Sequence, residues 1–113
     1  MRVQLLVIDD CPLDAALHAR LREALDTIGL TGVPIERVLV ATQAQAMITE
    51  FRGSPTVLVN GGDLFPSEGV PGLSCRVYRG AGVTDGVPTV PALRQQLKRA
   101  ADLARRAPAA RTA

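Results

Sequence analysis

Apolar residues recur along this chain with two different periods, and the switches between them mark out its elements. Val3-Gln4-Leu5-Leu6-Val7-Ile8 is almost continuously apolar and stops at Asp9-Asp10, the pattern of a buried strand over residues 2–8. From Asp14 the period lengthens. Leu17, Leu21, Leu25 and Ile28 follow at steps of four, four and three, with Arg20, Arg22, Glu23 and Asp26 on other faces, so a helix runs to a stop at Gly29. Pro34 to Thr42, with Ile35, Val38, Leu39 and Val40, predicts a second strand. Thr42 then caps a short helix over Gln43–Phe51, striped by Ala44, Ala46, Met47, Ile48 and Phe51. Gly53-Ser54-Pro55 breaks that helix, and Thr56-Val57-Leu58-Val59 is a strand ended by the hairpin signal Asn60-Gly61-Gly62. Residues 63–72 and 80–88 are expected to be loops, with Cys75–Arg79 between them as a final edge strand. From Thr89 the run Leu93, Leu97, Ala101 and Leu103 marks the last helix, with Pro91 tolerated in its first turn.

The expected order is β-α-β-α-β-β-α, an α/β fold with a mixed sheet flanked by helices. In such folds ligands gather beyond the carboxyl ends of parallel strands. Cys11 lies at that end of the first strand, and it also opens the first helix as Cys11-Pro12-Leu13-Asp14. Pro12 suits a first turn because it has no N–H to lose, and Asp9 or Asp10 is expected to cap the free N–H groups. A sulfur there faces the positive end of the helix dipole, which favours thiolate over thiol, while the neighbouring carboxylates oppose that preference. The plain alternative is a small buried apolar residue.

Length and composition narrow the class. At 113 residues the chain suits one domain, expected over 1–104, with 105–113 a flexible basic tail. Hydrophobic residues make up 47% but aromatics only 3%, so the core is aliphatic and bases have little to stack on, which argues against nucleic acid as a partner. The formal charge of +2 includes Arg105, Arg106 and Arg111, and without them the balance turns negative. No leader and no bilayer-spanning run is expected, hence no membrane partner and a cytoplasmic protein. Two cysteines, Cys11 and Cys75, do not make a disulfide framework, and one histidine, His18, leaves no multi-histidine metal centre.

With Cys11-Pro12-Leu13-Asp14 between strand and helix, and Gly53-Ser54-Pro55-Thr56 before a strand, the chain resembles the thioredoxin-like superfamily. There a Cys-x-x-Cys opens the first core helix beside a cis-proline, and Pro55 matches that proline. The resemblance implies that Ser54, Pro55 and Thr56, with Arg76, contact the substrate, a cis turn leaving backbone groups free to pair with it. Asp14 stands where the resolving cysteine would be, so Cys75 is the remaining candidate for that role.

More narrowly, Asp9–Pro12, Phe51–Val59, Asp63–Phe65 and Gly72–Tyr78 are similar to segments of small bacterial thioredoxin family or alkylmercury lyase-like proteins. That likeness implies Cys11, Asp14 and Cys75 as catalytic residues and thiol redox exchange or thiol-dependent binding as the function. The partner would be a thiol-containing protein or a small-molecule thiol, with no cofactor. Two alternatives stand beside it. In one, Cys11 and Cys75 bind mercury or another soft metal, or an organomercurial, and Asp14 donates the proton. In the other, the fold is a non-catalytic interaction module. Arg52 and Arg76 flank the proline and the second cysteine, where a cation favours a thiolate or an anionic ligand.

Overall fold

The computed structural model describes residues 1–106, and its sheet is organised around the first apolar run. β1 (Val3–Val7) lies between a parallel neighbour, β2 (Ile35–Leu39), and an antiparallel one, β3 (Thr56–Val59). β3 turns back into β4 (Gly62–Asp63), giving the order β2-β1-β3-β4. Because successive strand residues face opposite ways, β1 serves two cores. Val3, Leu5 and Val7 join Val57 and Val59 under Leu17, Leu21, Ala24 and Leu25 of α1 (Asp14–Thr27), with Leu93 and Leu97 from the last helix. Leu6 turns the other way, onto Val40, Ala46 and Phe51, where α2 (Gln43–Ile48) covers the sheet. The fold is therefore α/β, with helices against both faces of a mixed sheet.

Helix ends show why the elements stop where they do. Gly29, at φ +85°, ends α1, with Leu30 N–H bonded to Leu25 O at 2.9 Å and Gly29 N–H to Asp26 O at 3.1 Å. α2 opens with a capping box, Thr42 and Gln45 each satisfying the other's backbone N–H. It ends sooner than the expected Phe51. Glu50 turns left-handed at φ 53°, and Phe51 N–H reaches Ala46 O at 2.8 Å, which swings the Phe51 ring into the core beside Ala46. At the start of α1 the expected aspartate cap is absent: Leu13 holds the N-cap position without a side-chain bond. Asp10 instead makes the turn, at φ 54°, a left-handed conformation that aspartate tolerates better than most residues.

The order of later elements differs from expectation. Cys75–Arg79 is not an edge strand; it makes one isolated parallel bridge, Cys75 to Ser54. The strand after β3 is Gly62–Asp63, because Asn60 and Gly61, at φ 52° and 85°, close a two-residue hairpin with both central residues left-handed. A second hairpin, β5 (Val83–Thr84) with β6 (Val87–Pro88), occupies the expected 80–88 loop and turns on Asp85-Gly86 in the same way, at φ 54° and 83°. Arg20 of α1 clamps it, donating to Thr84 O at 2.8 Å, Val87 O at 3.0 Å and Pro88 O at 3.1 Å. α3 (Val90–Arg106) follows, with Ala92 N–H on Thr89 Oγ1. Arg105 and Arg106, expected in the tail, are thus helical, and the rest of that segment lies outside the described residues. Among the described residues no helix is long and apolar enough to cross a membrane.

Phe51 is fully buried and shares the α2-side core with Leu6, Val40 and Ala46. Phe51→Ala is expected to cost about 3–5 kcal/mol, read as a lower urea midpoint with an unchanged slope; a midpoint within error of the parent would refute this assignment of the second core.

Candidate functional site

Cys11 sits where β1 has ended and α1 has not begun. Asp14 N–H bonds to Cys11 O at 3.3 Å, closing a turn that presents the cysteine between strand and helix. Its thiol is free and half-buried, packed at the margin of the α1-side core. The open side is a shallow cleft of about 460 Å³ whose walls include Asp9, Asp10, Asp14, Arg37 and Leu39. Arg37, in the middle of β2, reaches across it to Asp14, Nε to Oδ1 at 3.0 Å. Asp14 is therefore held by a cation on the neighbouring strand rather than by His18 one turn along its own helix.

Ser54 joins this corner to the second cysteine. Its hydroxyl accepts from Ile8 N–H at 3.1 Å, just past the end of β1. Its own N–H bonds to Ser74 O at 2.7 Å and its carbonyl accepts from Arg76 N–H at 2.9 Å, so Cys75 lies directly alongside it. Gly72 N–H on Phe51 O, at 2.9 Å, starts the same docking two residues earlier. Residues 72–78 thus form a strap laid along the chain that leads into β3. Gly53 makes the approach feasible: a Cβ there would stand 2.8 Å from Arg76 Cβ and 2.9 Å from Arg76 Cα. From Cys75 to Tyr78 the faces alternate, with Cys75 and Val77 exposed and Arg76 and Tyr78 turned inward.

The strap alters the expected roles of four residues. The Ser54–Pro55 peptide is cis, yet Ser54, Pro55 and Thr56 are all buried and their polar groups are taken by the protein itself. Tyr78 OH donates to Pro55 O at 2.6 Å, and Thr56 OH donates to Gly53 O at 2.6 Å. The expectation that this turn offers free backbone groups to a substrate is corrected accordingly, since the strap already pairs with them. Arg76, expected to contact substrate, is 7% exposed and points inward. It donates to Asp63 Oδ2 at 2.8 Å, to Thr56 Oγ1 at 3.2 Å and to Phe65 O, and its guanidinium lies 4.6 Å over the Tyr78 ring. Arg52 also ties down a loop, through Gly69 O at 2.6 Å.

Three participants went unassigned by sequence reasoning. Arg37 carries no local signal, because its link to Asp14 exists only once β1 and β2 pair. Asp63 and Tyr78 share a different sign. Exposed and inward positions alternate over Cys75–Tyr78, and an arginine at an inward position calls for a carboxylate. Among the described residues no group of three or more histidine, cysteine or acidic side chains is placed to hold a metal ion. Comparison of the chain with protein-family models, with curated proteins and with solved structures returns no match.

Tyr78 is the only tyrosine and the chain has no tryptophan, which makes its titration readable. Burial pushes its hydroxyl well above the usual phenol range; Arg76 opposes the shift, while the charges of Asp63 and Cys11 add to it. Above a pH of ~10 the unfolded chain loses this proton and the folded one keeps it, so stability falls as pH rises through that point. Tyrosinate absorbance is expected to appear only together with loss of helical circular dichroism. A titration near the free-phenol value in the folded protein would contradict the burial of Tyr78.

Proposed function

We propose that the chain is a thioredoxin-like thiol protein in which Cys11 is the exchanging sulfur and Cys75 its resolving partner. The observation that carries this reading is the bridge between Cys75 and Ser54, whose hydroxyl accepts from Ile8 N–H, just past the end of β1 and three positions before Cys11. Both thiols are free, and neither is buried. A strand-to-helix turn bearing Cys11, followed by a parallel strand, an antiparallel strand and a hairpin, supports the thioredoxin-like assignment.

In the exchange step the Cys11 thiolate attacks one sulfur of a disulfide substrate, forming a mixed disulfide and releasing one thiolate. The Cys75 thiolate then attacks the Cys11 sulfur, releasing the second thiolate and leaving a Cys11–Cys75 disulfide. Run in reverse, the oxidised protein accepts two electrons from two thiols. Asp14 shares the cleft with Cys11, and the Arg37 contact holds its carboxylate there beside the exchanging sulfur. The substrate class is a protein or small-molecule thiol–disulfide couple.

The test is to incubate the reduced protein with oxidised glutathione and follow free thiols and intact mass. Both thiols are expected to disappear with a loss of two hydrogens and no stable adduct, whereas Cys75→Ser is expected to stop at the Cys11 mixed disulfide. Adducts on both cysteines of the parent, or alkylation of Cys11 no faster than that of a free thiol, would count against exchange and for an interaction module. Hydrocarbon release from an organomercurial with stoichiometric mercury retention would replace exchange by the lyase reading.

A further inference from the structure

Resting on the thiol-exchange reading, we propose that Arg76 and Asp63 form a positioning device for Cys75, setting how readily it closes onto Cys11. Cys75 is exposed and does not dock the strap itself. Its neighbour does. The Arg76 side chain is 5% exposed and that of Asp63 19%, and the two meet at 2.8 Å. Asp63 in turn accepts Phe65 N–H on its other oxygen at 2.9 Å, so one carboxylate holds both the strap and the turn after β4.

Extended chain alternates its faces, so fixing Arg76 inward obliges Cys75 to face outward at a set height along Ser54. Tyr78, two residues on, repeats the inward anchor through Pro55 O and packs its ring edge-on to Phe65, with centroids 5.9 Å apart. Two inward anchors therefore flank Val77 and follow Cys75 immediately, while Gly53 lets the strap backbone close to contact. Because a disulfide tolerates only a narrow range of separations and angles, a strap free to shift would offer its thiol less often in a bonding position. Neither Arg76 nor Asp63 lines the cleft around Cys11, so this control acts on closure and not on the first attack.

The readout is the equilibrium of the Cys11–Cys75 disulfide against reduced and oxidised glutathione, which reports the effective concentration of one thiol at the other. Arg76→Lys keeps the charge but loses the planar fork that spans Asp63, Thr56 and Phe65 O, and Asp63→Asn keeps the shape but loses the charge. Each is expected to lower the effective concentration by about tenfold while the alkylation rate of Cys11, measured with Cys75→Ser added, stays within about twofold of the parent. Leu25→Ala serves as a variant destabilised elsewhere in the fold and is expected to keep the parent equilibrium. Folded Arg76→Lys and Asp63→Asn with the parent equilibrium, or Leu25→Ala matching their loss, would overturn the positioning role alone. A parent protein that forms no Cys11–Cys75 disulfide would overturn the exchange reading, and this role with it.

Discussion

A guanidinium taken out of water has to find its partners on the spot, and much of one end of this molecule is arranged by that demand. Arg76 draws a carboxylate from the β4 turn, a hydroxyl from the first residue of β3, a carbonyl from Phe65 and an aromatic face from its own strap. Those groups come from three pieces of chain: β3, β4 with the turn after it, and the strap itself. No one of these pieces is a long regular element, and the charge holds them in register where extended ladders are missing. The aliphatic cores on either side of β1 are built on a different principle, apolar area removed from water, which is non-directional. Directionality enters at the strap.

This division explains what could be read from the chain alone. Leu17, Leu21 and Leu25 announced α1 because helical spacing is a local property, and Gly29 marked its end for an equally local reason. Asn60-Gly61 announces a hairpin, but the run that reads as the next strand is Cys75–Arg79, while the actual return strand is only the two residues Gly62–Asp63. Asp85-Gly86 is the same type of turn and lay in plain view, flanked by Val83-Thr84 and Val87-Pro88, but with only two residues on each arm it lacked the alternating run that usually accompanies it. The α/β character with helices on both faces was legible; the exact order of strands was not.

The candidate site was legible in part. Cys11 and Asp14 stand out through their place between strand and helix, and the cleft holds both. The partner of Asp14 was invisible, since Arg37 reaches it only through the parallel pairing of β1 with β2. Ser54-Pro55-Thr56 stands out as a segment, but its availability does not, because whether a backbone group is free depends on what the rest of the chain lays against it. Arg76 shows the same limit from the other side. An arginine in sequence reads as surface, and only the carboxylate that meets it from β4 reveals that it is buried.

The Asp85-Gly86 hairpin fastens α1 from a segment far from it in the chain. Val87, Leu93 and Leu97 cover the apolar face of α1, and Arg20 reaches from that helix to three carbonyls in residues 84–88. Leu17, Leu21 and Leu25 therefore share one core with sheet residues Val3, Leu5, Val7, Val57 and Val59 and with this late segment. That helix is locked in two ways, by apolar area that sets no direction and by an arginine whose three carbonyl partners do, so its rotation about its own axis is fixed along with its burial.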